Sequence, residues 1–295
     1  MSSTIPASMV KELRDKTGAG MMECKKALQK SEGDFDAAVK HLRESGIAKA
    51  AKREGRTAAE GLVQMAVSED GTAGALAELN CETDFVARNE EFSALVEEAA
   101  NVALAAAVED AEQLLATKLP STGKSVAEGV EGLLAKIGEK ITLSRAATLK
   151  ADLVTGYIHP PGKIGVLVGA KLDGAQKTPE LEEALKDIAM HVAAFAPRFL
   201  SDADVDQETL EAEKEIFANI ARNEGKPENI IPRIVEGKIK SFYKESCLLY
   251  QPFAKDPGQT VQEVVNEAAK TSGGKVELTG FVRFRLGETA APGAK

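Results

Sequence analysis

Tryptophan is absent from this 295-residue chain and aromatic residues together make up only 4% of it, so its cores must be aliphatic and each Phe is unusually informative. Basic charge is also short. Lys and Arg number 37 against 46 Asp and Glu, a formal net charge of -9, and such a field repels phosphate backbones. Direct nucleic-acid binding is therefore not expected. Cysteine is confined to Cys24, Cys81 and Cys247, an odd number without CxxC spacing, which fits reduced thiols in a cytosol-like compartment and neither a disulfide frame nor a zinc site. No stretch approaches the ~20 apolar residues needed to span a bilayer. The opening MSSTIPASMV lacks the basic start and apolar run of a secretory signal. A soluble cytoplasmic protein without membrane contact is expected.

Catalytic motifs are missing as well. Gly123-Lys124-Ser125 ends like a phosphate-binding loop, but Lys118 stands where that loop needs its first glycine. Gly18-Ala19-Gly20 opens like a dinucleotide fingerprint, yet Glu23 occupies the third glycine position. GxSxG and HExxH do not occur, and His41, His159 and His191 lie too far apart for ligand spacing. His191 sits on an otherwise apolar helix face and reads as a satisfied core histidine. No catalytic residue, cofactor or metal ligand is assigned, and a binding or regulatory protein is favoured over an enzyme. An enzyme working through Glu82, Asp84 and Arg88 would lack a paired base or cofactor site.

What is present is enough for a real core. Hydrophobic residues make up 43% and charged residues 28%, within the range of soluble globular proteins, and the length suits two domains. Residues up to about Gly46 read as three short helices. Val10 and Leu13 mark the first, and Thr17-Gly18-Ala19-Gly20 a turn. Met21, Cys24, Ala27 and Leu28 form the stripe of the second, while Asp34 caps a third carrying Phe35, Ala38, Val39 and Leu42. The following Lys49, Lys52, Arg53 and Arg56 have no interleaved aromatics to stack on bases, so a solvated helical linker is expected.

An internal repeat organises the rest. "GTAGALAEL" from Gly71 and "GKIGVLVGA" from Gly162 share a glycine pair and an apolar strand, as at a hairpin turn. Each precedes an amphipathic helix, "EFSALVEEAANVALA" from Glu91 and "ELEEALKDIAMHVAA" from Glu180. "SVAEGV" from Ser125 matches "TVQEVV" from Thr260, each opening with a capping box, and "KITL" from Lys140 matches "KVEL" from Lys275. The predicted fold class is α+β, with helices on one face of each of two small antiparallel sheets. The expected domains are a three-helix module at 1–46, a linker at 47–60 and a core subdomain at 61–150. A second core subdomain follows at 151–199 and 252–287, interrupted by an antiparallel helical hairpin at 200–251, with a tail at 288–295. In the hairpin Leu210, Phe217 and Ile220 face one way, "NEGKP" breaks the chain, and Ile230, Ile231, Ile234, Val235 and Ile239 resume. Packing on its own base and contact with a second subunit or partner both remain open for it.

The copies differ most where "NCETDFVARNE" in the first faces "KLDGAQKTP" in the second. The second makes this junction from ordinary turn residues, Asp173, Gly174 and Pro179. The architecture therefore does not require Asp84, Phe85 or Val86. Phe85 could fold back as a staple onto the helix beginning near Asn89, but the second copy needs no staple, and an aromatic at a loop tip beside a carboxylate is the kind of feature that anchors a binding hot spot.

In order and separation, "VKELRDKTGAGMMECKKAL", "NCETDFVARNEEF", "KIGEKI", "GKIGVLV", "DIAMHVA" and "GFVRF" closely resemble the elongation factor Ts family. The likeness covers nearly the whole chain. It implies a UBA-like N-terminal module, two related core subdomains and an inserted helical hairpin. It also implies guanine-nucleotide exchange on the GTPase elongation factor Tu in protein biosynthesis. Thr83, Asp84, Phe85 and Val86 match the loop that wedges beside the partner's nucleotide site and displaces its magnesium ion. Arg14, Met21, Met22 and Lys25 match positions contacting the partner's G domain, and His159 matches one facing another partner domain. Helical spacing puts Met21 in the core, so Met22 is expected to be the more exposed. His159 is followed by Pro160-Pro161 where the family often has smaller residues, and the ending "GETAAPGAK" is expected to lack the further helix of many members. A homodimer or a 2:2 complex stays open, as does an adaptor that binds a partner through the three-helix module without nucleotide exchange.

Overall fold

The computed structural model describes residues 5–17, 19–54 and 56–288, with backbone alone for 45–54. Helical spacing of apolar residues builds its first elements, α1 (Ala7–Thr17), α2 (Met21–Lys30) and α3 (Phe35–Glu54). Val10 and Leu13, Cys24, Ala27 and Leu28, and Ala38 form their shared core, with Phe35, Val39 and Leu42 packed against it. Asp34 caps α3 by accepting the Ala37 N–H at 2.9 Å. Two expectations are corrected. Met21 is exposed, because it is the first residue of α2 after Gly20 and the buried stripe begins only at Cys24. The third helix is not short. It runs through Gly46 to Glu54, since the intervening Ala, Lys and Arg are strong helix formers. The turn at Gly18, the side chains of Lys49, Lys52 and Arg53, and the tail beyond Glu288 lie outside the described residues.

Two compact units follow from the contacts, one holding the chain up to Gln64 with Ala77–Ala147, the other Met65–Leu76 with Thr148 onward. Along the chain the elements come in two similar sets. The first is β1 (Glu60–Val67), β2 (Ala73–Cys81), α4 (Asp84–Ala87), α5 (Glu90–Ala106), α6 (Ala111–Ala116), α7 (Val126–Ile137) and β3 (Ile141–Lys150). The second is β4 (Leu153–His159), β5 (Ile164–Asp173), α8 (Pro179–Phe195), α9 (Gln207–Asn223), α10 (Ile231–Ser246), α11 (Val261–Ser272) and β6 (Lys275–Arg285). The sheets have the orders β1-β2-β3 and β4-β5-β6, so the repeated strand is central in each. In the second sheet both pairings are antiparallel, with Ile158 opposite Gly165 and Gly169 opposite Gly280.

The repeat extends to the ends of its helices. Helices α5 and α8 are each 17 residues long, and each ends on an alanine in the left-handed region, Ala107 and Ala196. Helices α7 and α11 are each 12 residues, open with capping boxes at Ser125–Glu128 and Thr260–Glu263, and stop at left-handed Gly138 and Gly273. Glu128 and Glu263 are both held below the usual carboxyl range, chiefly by the backbone N–H of their capping residue. Phe92, Val96 and Ala100 of α5 are buried where α8 buries Leu181, Leu185 and Ala189. Burial of each large aliphatic or Phe contributes roughly 1.5 to 3 kcal/mol, so these stripes hold the helices in place.

The fourth matching position breaks the pattern, with Val102 on α5 and His191 on α8. His191 is fully buried; its Nδ1 accepts the Ala254 N–H at 3.2 Å and its Nε2 lies 2.8 Å from Gln251 Oε1. The backbone donor dictates the tautomer with the proton on Nε2. Gln251 in turn donates to the Glu245 carbonyl, so the histidine ties down the return from the hairpin of α9 and α10. That hairpin turns at Gly225 and buries Ala221, Ile231, Ile239 and Phe242. Its seam is shorter than the sequence pattern suggests, because Ile220 and Ile230 are exposed, as is Ile216. Cys24, Cys81 and Cys247 are free and buried, and among the described residues no helix is long and apolar enough to cross a membrane.

Candidate partner-binding site

Strand β2 ends at Cys81, whose buried thiol donates to the Thr83 carbonyl at 3.1 Å. Loss of hydration, reinforced by the Glu139 carboxylate, pushes that thiol up to about 12, so it stays protonated and acts as a small packed donor. The chain then makes one helical turn, α4. Neighbouring residues on a helix point about 100° apart, so a single turn sends adjacent side chains to different sides. Phe85 is 80% exposed and Val86 only 7%. The structure thus separates two residues that the resemblance groups together on the partner-facing side. Val86 faces the core with Ala87, and only Phe85 juts outward with an apolar surface. Asp84 is half exposed and takes a 2.9 Å hydrogen bond from Arg88, an i,i+4 pair in solvent of the kind that contributes a few tenths of a kcal/mol. Asn89 ends the turn and caps α5, accepting the N–H groups of Glu91 and Phe92, and Phe92 is fully buried. Two Phe residues seven positions apart therefore have opposite environments, one anchoring a helix and the other unshielded.

Two carboxylates brace the root of this turn. Glu139 accepts both the Thr83 N–H at 3.0 Å and the Thr83 hydroxyl at 2.8 Å. Glu82 accepts the Lys140 N–H at 2.6 Å and pairs with Arg56 at 3.4 Å, while the Lys140 ammonium donates to the Arg56 carbonyl. Sequence reasoning passed over Glu82, Glu139, Lys140 and Arg56 as site-supporting residues. The available signal was Glu139 standing opposite Gly274 when the two repeats are aligned.

The family profile described as Elongation factor TS matches residues 82–288. This chain belongs to the elongation factor Ts family. A protein named elongation factor Ts from a Nitratiruptor species is 47% identical over 287 residues, spanning 96% of this chain and 93% of its own length. Elongation factor Ts of a Clostridium perfringens Type A strain is 48% identical over 286 residues, and that of Rhodospirillum centenum 48% over 291, each with the same 96% and 93% coverage. The family is one of translation elongation factors, and the three N-terminal helices with two small antiparallel sheets agree with its α+β architecture.

The other residues singled out by resemblance to elongation factor Ts fall in two further places. Arg14, Met21, Met22 and Lys25 are all exposed on α1 and α2, Met22 at 64% and Met21 at 45%. Arg14 lies 3.6 Å from Asp15 in solvent. His159 belongs to the second unit, exposed at the end of β4, where its Nδ1 lies 2.9 Å from the Tyr157 hydroxyl, just before the cis Pro160-Pro161 bond. These three groups are not one cluster along the chain. Each presents exposed apolar or cationic surface beside an ordered element, which suits contact with a large partner more than a small ligand.

Proposed function

We propose that this chain is a guanine-nucleotide exchange factor that binds GDP-loaded elongation factor Tu in the cytoplasm and promotes replacement of GDP by GTP. The observation carrying this reading is Phe85, 80% exposed on a turn whose other apolar residues, Val86 and Ala87, are buried. A chain with so few aromatics leaves one in water at a site that its own duplicate closes without any. No covalent chemistry is assigned to it.

GDP in such a GTPase is held through its phosphates and a Mg²⁺ ion that needs a nearly ideal octahedral shell. Burying the Phe85 ring contributes roughly 1.5 to 3 kcal/mol, available only in a partner conformation whose switch elements have moved off the metal. Asp84, beside it, competes for groups around the cation. Thr83 sets the entry to the turn, and Val86 anchors it from the inside. Arg14, Met21, Met22 and Lys25 grip the G domain, and His159 meets a second partner domain. Linkage makes the effect reciprocal, so GDP weakens the complex by the factor by which the complex weakens GDP. GTP then enters the emptied site and releases the factor.

The test is release of a fluorescent GDP analogue from elongation factor Tu with and without this protein. Acceleration that grows with added protein and saturates is expected. Stable complex formation with no change in the release rate would instead establish the adaptor reading.

A further inference from the structure

Resting on the exchange reading above, we propose that Glu139 is a positioning residue, which holds Thr83 so that the turn α4 presents Phe85 in a fixed direction before the partner arrives. The inference comes from comparing one junction in the two copies. In the second copy Gly274 occupies the place of Glu139, and a Cβ there would lie 2.2 Å from the Ala175 nitrogen and 2.4 Å from the Gly174 carbonyl carbon. Backbone closes directly on backbone, reinforced by the Gln176 N–H donating to the Ser272 carbonyl. A carboxylate is therefore not needed to complete the corner between the central strand and the final strand.

In the first copy the Glu139 carboxylate stands between the two segments and accepts both donors of Thr83. That has a local consequence. Thr83 is the N-cap of α4, yet its side chain makes no capping bond to the turn, because its hydroxyl is directed to Glu139. A four-residue helix is too short to persist by itself, since nucleation costs more than one or two hydrogen bonds return. Its i,i+4 bonds, Ala87 N–H to the Thr83 carbonyl at 3.3 Å and Arg88 N–H to the Asp84 carbonyl at 3.2 Å, are long, while the Asn89 N–H to Val86 carbonyl bond at its far end is shorter, at 2.9 Å. The turn is thus held from outside, at its first residue, by a side chain reaching 56 positions along the chain. Glu82 in turn accepts the Lys140 N–H, so the start of β3 and the root of the turn hold each other.

The test combines Glu139→Ala and Glu139→Gln, each alone and together with Phe85→Ala. In the free protein, Glu139→Ala is expected to speed amide hydrogen exchange across residues 83–88 at least tenfold, while the amides of α5 and α7 keep their protection. With elongation factor Tu, it should raise the half-saturating concentration for GDP release about tenfold and leave the limiting rate within about twofold, because the bound complex still contains Phe85 and only the ordering is lost. Glu139→Gln, which can accept the Thr83 N–H and donate to its hydroxyl, should restore most of both. In the Phe85→Ala background, Glu139→Ala should add less than about twofold. Unchanged exchange at 83–88, equal effects with and without Phe85, or loss of protection spreading to α5 and α7 would overturn the proposal. Should Phe85→Ala alone leave GDP release unchanged, the exchange reading fails, and hydrogen exchange still decides whether Glu139 holds the turn.

Discussion

The corner leaving the central strand is closed in opposite ways in the two halves of this molecule. After β5, Gly274 lets its backbone close on that of Gly174 and Ala175, and the chain passes through ordinary turn residues into α8. After β2, the matching positions are Thr83 and Glu139, and the chain makes an extra helical turn before α5. A second difference lies deeper in the sheets. Gly169 and Gly280 face each other in the second, whereas the aligned positions in the first unit are Glu78 and Arg145, joined by a hydrogen bond of 2.8 Å. Glu78 is 1% exposed and Arg145 13%. The scaffold itself works with glycine at all four places. Glu139 at the first corner is an addition, and it braces the turn that displays Phe85 to solvent.

The largest test of this comparison is the buried pair. Glu78→Ala leaves a mostly buried guanidinium without this carboxylate, and the expected loss is about 3 kcal/mol, read from urea unfolding. Replacing both together, Glu78→Leu with Arg145→Met, should recover most of it, which would show that the pair is not required for folding. A double variant as unstable as the single one would break the comparison.

The reverse substitution tests the second corner. Gly274→Ala should cost about 2 kcal/mol, since its methyl group meets backbone and not a flexible side chain. A neutral result would mean that the two corners do not differ as described.

His191 sharpens the comparison through pH. Its pKa is lowered by burial, with Gln251 opposing. Above about pH 6.5 the imidazole is neutral whether folded or unfolded. Below it the unfolded chain binds a proton that the folded state resists, so stability falls as pH drops through this window, by at most about 1.4 kcal/mol per pH unit. Urea midpoints between pH 7 and 5 should show this slope, and His191→Gln should flatten it. The first copy, with Val102 at this place, contributes none. A slope unchanged in the variant would assign the acid sensitivity elsewhere. The smallest effect belongs to Arg88→Ala, which removes a solvent-exposed pair and should shift stability by less than about 0.5 kcal/mol.

Much of this architecture could be read locally. Capping boxes at Ser125 and Thr260, the glycine pairs before β2 and β5, and the helical stripes of α5 and α8 are short-range patterns that repeat. The Phe85 turn stood out because the duplicate lacked it. What escaped notice depends on contacts across the fold or on too few residues to show a period. A single turn such as α4 carries no periodic signal, so nothing in the sequence separated inward Val86 from outward Phe85. Met21 fitted a helical stripe whose first position lies beyond the edge of the core. Glu139 meets Thr83 only because β2 and β3 are neighbours in the sheet, and Ile220 and Ile230 fitted an apolar seam although the structure leaves both exposed.

The central claim is that the Phe85 ring acts on a partner and not on its own fold. The most direct measurement follows GDP release from elongation factor Tu in stopped flow with Phe85→Ala, alongside urea unfolding of the same preparation. The account predicts stimulated release slowed at least several-fold, with stability unchanged to within about 0.5 kcal/mol. Release at the full rate, or a loss of stability like the roughly 3 to 5 kcal/mol of a core Phe→Ala change, would contradict it.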